Sequence, residues 1–231
     1  MSGACNINLR FFGKRGKMLT IRKLPRYPIW HVESDDRWEL AMTFVRMQEF
    51  HESPNPRFKG KIFSLEEYMD WYVHSRSKKH GSFGVFSYAR DWSAFNVPGT
   101  AVRSVCFCFP ERSKKESWLF GKLEKQGAYD DQFYVIGTYA KDGKAYFEHE
   151  YRHALFALNK EYRESMMEII ARYPVKRLRT WILKYYSPTV LNDEIQAYAL
   201  TGWPNEISLT DDMHKLKRAL KLVEKKYITA S

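Results

Sequence analysis

Apolar and polar residues change their period along this chain, and the changes mark out its elements. From Asp35 or Asp36 onward, Trp38, Ala41, Met42 and Val45 recur at helical spacing behind acidic residues, which predicts a helix. Ser53-Pro54-Asn55-Pro56 then opens a loop that closes near Lys59-Gly60-Lys61. Ser64 and Glu67 have the spacing of a capping box and predict a second helix through Tyr68, Trp71 and Tyr72. Residues 76–84 are polar and glycine-bearing, so they read as a loop. Residues 83–88 and 102–109, rich in aromatic and β-branched side chains, are strand candidates separated by Asn96-Val97-Pro98-Gly99, which has turn chemistry. Residues 133–139 form the strongest strand signal, ended by Lys141-Asp142-Gly143.

After Gly143 the period turns helical almost to the end. Helices are expected over 146–158 with a stop near Asn159, over 160–173 before Pro174, and over 175–186. Ser187-Pro188 pairs a capping residue with proline at the first helical position and opens a fourth helix to Leu200, with Gly202 as its stop. Thr210-Asp211-Asp212 begins a last, lysine-rich helix. The expected fold class is α+β: a small mixed or antiparallel sheet with flanking helices and a mostly helical C-terminal half.

Composition narrows this reading. A chain of 231 residues with 44% hydrophobic content has room for one ordinary domain with a packed core. No stretch approaches the roughly 18 consecutive apolar residues of a membrane span. The basic N-terminus lacks a following apolar run, so neither a membrane anchor nor a cleaved leader is expected, and a cytoplasmic protein is. Cys5, Cys106 and Cys108 do not make a disulfide framework. On the strand reading Cys106 and Cys108 share a face as small buried hydrophobes.

All but one unit of the net charge of +11 sits at the ends. Residues 1–32 hold seven Lys or Arg and no acid, and residues 208–231 hold six against three, which leaves 25 basic and 24 acidic residues between them. The expected organisation is therefore a basic arm over 1–32, irregular or partly extended around Pro25 and Pro28. A single domain over 33–207 and a basic helix over 208–231 follow. Such ends suit nonspecific contact with polyanions rather than a reading surface.

The candidate chemistry lies in His149-Glu150-Tyr151-Arg152-His153. Histidines four apart on a helix project from one face and supply half of a tetrahedral zinc site. Glu150 is turned about 100° around the helix, within reach of a water beside the metal but off the metal itself. Such a site needs a third protein ligand, and Glu194 stands in the helix that returns two helices later. Asp193 is the alternative ligand, but Glu194 shares its face with Leu191 and Tyr198.

Over roughly residues 133–200 this pattern resembles the gluzincin branch of the zincin metallopeptidases. The resemblance implies a Zn2+ ion held by His149, His153 and Glu194, with Glu150 as general base for peptide-bond hydrolysis of a protein or peptide substrate. Tyr198, one turn after Glu194, would donate to the developing oxyanion. Two departures stand out: Arg152 occupies a position that is usually uncharged, and Tyr198 stands where an aspartate often orients a zinc-bound histidine. Arg152 is expected to face solvent or pair with an acid such as Glu148. The remaining histidines, His31, His51, His74, His80 and His214, read as surface residues.

Three other functions share these residues. A deformylase-like amide hydrolase would draw a cysteine ligand from Cys106 or Cys108. A nucleic-acid-binding module would use the basic ends with the aromatics Phe83, Phe86, Tyr88, Trp92 and Phe95. A protein-interaction domain could carry the metal without proteolysis. By analogy with zincins, residues 83–99 would border the substrate cleft.

Overall fold

The computed structural model describes residues 19–76, 84–142 and 144–228. β1 (Leu19–Lys23) and β2 (Ile29–Ser34) form an antiparallel hairpin, registered from Leu19 opposite Ser34 to Lys23 opposite Trp30. β2 then runs parallel to β4 (Tyr134–Tyr139), and β3 (Ala94–Pro98) closes the far edge antiparallel to β4, giving the order β1-β2-β4-β3. Proline is tolerated in β3 because this is an edge strand.

The alternation of β4 divides the molecule. Val135 and Gly137 face α1 (Arg37–Glu52), which starts where the Asp36 carboxylate accepts the backbone N–H groups of Trp38 and Glu39 at 2.7 and 3.2 Å. A Cβ on Gly137 would stand 2.5 Å from the Phe44 ring, so glycine lets α1 lie directly on the sheet. Around α1 pack α2 (Leu65–Trp71), one π-helical turn (Tyr72–Arg76), α3 (Tyr88–Asp91), α4 (Gly99–Cys108) and α5 (Lys114–Lys125). Their core is aromatic, with Phe44, Phe58, Tyr68, Tyr88 and Phe95 all fully buried.

Tyr134 and Ile136 point the other way and meet Ala154 of α6 (Lys144–Leu158). Behind α6 lies a helical core built with α7 (Lys160–Ala171), α8 (Lys176–Ile182), α9 (Leu191–Thr201) and α10 (Asp211–Ile228). A 3₁₀ turn, Pro188–Val190, introduces α9. The fold is α+β with a small mixed sheet.

Several expectations need correction. Residues 102–109 are not a strand: they fall in α4, whose buried Ala101, Val102, Val105 and Cys106 make a helical face. Cys106 is consequently buried and Cys108 exposed, on different faces. The presumed turn at Asn96-Val97-Pro98 is β3, Tyr88 begins a short helix, and α5 was not foreseen. The proposed basic arm contains β1 and most of β2, an interior strand. His31 of β2 is buried against Thr138, its Nε2 2.7 Å from the hydroxyl, and His51 is half-buried.

Residues 1–18 with Cys5, residues 77–83 with His80 and Phe83, Gly143, and residues 229–231 lie outside the described residues. Among the described residues no helix is long and apolar enough to cross a membrane.

Candidate metal centre

α6 and α9 pack against one another, and the candidate site lies where they meet the sheet. Helical spacing puts the His149 and His153 rings 4.9 Å apart between centroids. Glu194 faces both of them from α9: its Oε2 is 3.9 Å from His149 Nε2 and its Oε1 3.8 Å from His153 Nε2. One ligand atom from each of the three residues falls within 4.8 Å of the others. Tetrahedral bonds of about 2.0–2.2 Å would space such atoms roughly 3.4 Å apart, so movements of tenths of an ångström bring each imidazole–carboxylate pair to bonding geometry.

The tautomers follow from the outer partners. Thr201 has one hydroxyl proton, which it donates to the Ala197 carbonyl at 2.7 Å. Towards His149 Nδ1, 3.1 Å away, it can therefore only accept, which fixes the His149 proton on Nδ1 and bares Nε2. His153 Nδ1 lies 2.9 Å from Asp193 Oδ1 and donates to it, so its Nε2 also faces Glu194. Asp193 is held in turn by Gln196 Nε2 at 3.0 Å, and Gln196 Oε1 accepts from the Tyr162 hydroxyl at 2.9 Å. Adjacent residues of α9 thus divide the work, Glu194 facing the imidazole Nε2 atoms and Asp193 gripping His153 from behind. The carboxylate expected one turn after Glu194 stands one residue before it.

Charge and burial agree with a cation at this point. Burial pushes the Glu194 carboxyl up to about 8, with His153 opposing, and its Oε2 is a buried acceptor without a hydrogen-bond donor. Burial, then His153 and Arg152, hold His149 well below the usual imidazole range. For His153 burial acts downward, but Asp193, Glu194 and Glu150 outweigh it and raise the group well above its ordinary value. A divalent cation would displace that proton and satisfy the Glu194 oxygen.

Glu150 borders the same cavity and is held from the sheet. Asn96 of β3 donates through Nδ2 to Glu150 Oε2 at 2.6 Å, and the Tyr134 hydroxyl of β4 donates to Asn96 Oδ1 at 2.6 Å. Burial raises the Glu150 carboxyl, which His153 and the Asn96 bond partly offset. Arg152 leaves the site altogether: it is buried against α10, its Nη2 2.7 Å from Glu224 Oε1 and its Nη1 donating to the Glu148 carbonyl at 2.6 Å. Solvent exposure is therefore not its fate, and Glu148 is a distant second partner at 4.0 Å. The charge between the histidines is a strut for the last helix.

A cavity of about 680 Å³ brings His149, Glu150, His153, Glu194 and Tyr198 to one surface, so all five residues singled out from the sequence border it. The Tyr198 ring packs edge-on against His149 at 4.8 Å, and its hydroxyl is 3.2 Å from that of Tyr186. Burial raises Tyr198 to about 12. Residues 91–94 and Asn96 also border the cavity. Cys106 is packed in the aromatic core, and neither Cys106 nor Cys108 joins the ligand group. Sequence reasoning missed Asn96, Tyr134 and Thr201 as supports, and Asp193 was weighed only as a ligand. A single sequence contains no signal that joins residues so far apart.

Comparisons with known protein families, with curated proteins and with solved structures found no match.

Proposed function

We propose that this protein is a zinc-dependent hydrolase of the zincin type that cleaves a peptide bond. The observation that carries the reading is the convergence of His149, His153 and Glu194 beside a buried Glu150 at one open cavity. Zinc is favoured over other divalent ions by two imidazoles and one carboxylate in a compact set with room for an open position. When bound, zinc acidifies water and polarises a carbonyl oxygen.

The chain supplies the rest. Asn96 fixes the Glu150 carboxylate, whose raised pKa makes it a stronger base than an exposed glutamate. Glu150 takes a proton from the attacking water and returns it to the leaving amine. The Tyr198 hydroxyl borders the same cavity and is the donor for the oxyanion that develops on the carbonyl. The outer edge of β3, with Ala94 and Asn96 at the cavity, offers main-chain pairing to an extended peptide. Nonspecific polyanion contact belongs to the same reading, through the exposed Lys215, Arg218 and Lys221 of α10, with action in the cytoplasm.

The test is metal content by mass spectrometry on wild type, His149→Ala and Glu194→Ala, followed by hydrolysis of a denatured protein with Glu150→Gln as control. About one zinc per chain in wild type, absent from His149→Ala, together with cleavage abolished in Glu150→Gln, is the expected result. Wild-type protein that stays empty in excess zinc sinks the proposal.

A further inference from the structure

A second cavity of about 450 Å³ adjoins the first, and the residues common to both define what stands between them. They are Gln48 and Glu52 at the end of α1, Trp92 after α3, and Tyr186 before α9. Two aromatic rings, a carboxylate and an amide are a set that recognises organic cations: the rings through their negative faces, the oxygens as acceptors.

The hydrogen bonding sharpens that choice. Gln48 spends its amide N–H on Glu52 Oε1, while its own Oε1, on a residue only 7% exposed, meets no donor. A buried acceptor without a donor is destabilising, so the position is arranged for a group that brings protons. Glu52 takes part in no ion pair among the described residues. Glu49 lies one turn earlier at the outer cavity, and Glu150, Asp193 and Glu194 extend the negative charge inward. Of the charged groups that face Glu52, His153 favours its carboxylate, and Glu150, Glu49 and Asp193 oppose it. Lys59 and Lys184 border only the outer cavity, where both side chains are exposed and screened by water.

We infer that Gln48, Glu52, Trp92 and Tyr186 form a cation-accepting subsite that holds an ammonium or guanidinium group of the peptide being cleaved. This rests on the hydrolase reading and narrows its substrates to peptides with a Lys or Arg side chain, or a free α-amino group, beside the scissile bond.

The probes are acetylated alanine pentapeptides carrying one lysine at each position in turn, their norleucine counterparts, and alanine pentapeptide with a free N-terminus. Binding to zinc-loaded Glu150→Gln is read by competition against a fluorescent lysine peptide. One lysine position, or the free amine, is expected to bind on the order of tenfold tighter than its uncharged counterpart, and Glu52→Gln should remove most of that preference. Which arm responds distinguishes side chain from terminus. Gln48→Met, which keeps the carboxylate, should weaken the preference by a few-fold, and the melting curves and zinc content of both variants exclude misfolding. Equal binding of charged and uncharged probes overturns the inference, as does a preference that survives Glu52→Gln or a second zinc lost in that variant. Cleavage by wild type without a charge preference sinks the subsite and spares the hydrolase. Charge-selective binding that Glu52→Gln abolishes, without cleavage by wild type, does the reverse.

Discussion

The sheet-bearing half of this protein and its helical half solve the same packing problem differently. The first wraps α1 in aromatic rings, and Phe44, Phe95 and Tyr88 stack in series at 5.3 and 6.1 Å between centroids. The second stacks amphipathic helices through aliphatic faces such as Leu155, Ile170, Ile195, Leu216 and Leu220. Each also buries an arginine–glutamate pair, and the pairs differ in completeness. Arg46 reaches Glu116 with Nε at 2.7 Å and Nη2 at 2.5 Å and donates to the Glu111 carbonyl, while Glu116 also caps α5. Arg152 meets Glu224 through Nη2 at 2.7 Å and leaves its Nε without a partner. The half with the more complete pair and the half with the less complete one thus flank the candidate site, and the three candidate ligands all come from the second.

The largest effect expected from this contrast is at Arg46. Arg46→Met strands the Glu116 carboxylate and should cost about 3–5 kcal/mol in denaturant unfolding, whereas Arg152→Met should cost visibly less. Equal losses would break the comparison. Next comes acid. Burial, then Arg22, lowers His31 to about 4, from an ordinary 6.5, so the folded state keeps the ring neutral while the unfolded chain takes a proton. Stability from His31 is full above pH 6.5 and is lost as pH falls towards 4, by about 3 kcal/mol in all. His31→Asn should flatten that part of the pH profile, and an unchanged slope would refute the assignment.

Smaller effects sharpen the helical half. Asp193→Asn should lower zinc affinity about 10–100-fold, because His153 loses the carboxylate that fixes its tautomer. Thr201→Val should cost only a few-fold, since it removes one neutral acceptor from His149. A competition chelator assay ranks the two, and the reverse order would overturn the reading of the outer partners. In the same assay wild-type affinity should rise from pH 6 to about 8, as the proton on His153 and that on Glu194, whose carboxyl is pushed up to about 8, cease to compete with the ion. A flat profile would mean that these protons do not compete.

The two halves also differed in how far their sequences disclosed them. From Gly143 onward, caps and periods spoke together: α6 stops at Asn159 as expected, though Asn159 also caps α7, Ser187 caps the turn that introduces α9, and Gly202 follows the last residue of α9. The α4 segment misled because Val102, Val105, Phe107 and the two cysteines have strand-like chemistry, although Ala101, Val102, Val105 and Cys106 keep a helical period. Asn96 sits beside a proline and a glycine, so local chemistry suggested a turn where pairing with β4 makes a strand. The juxtaposition of His149 and His153 was legible because four-residue spacing on one helix is a local property. The clamp on Glu150 was not, because only the sheet brings Asn96 and Tyr134 to it.

The crossing of α6 and α9 has a consequence for engineering. His149, His153, Glu194, Asp193 and Thr201 all reside on two packed helices, whereas the grip on Glu150 comes from two strands. The candidate ligand set is thus a portable module that a designer could graft as a helix pair onto another bundle. Glu150 would travel with that pair, while Asn96 and Tyr134, which hold its carboxylate, would stay behind with the donor scaffold.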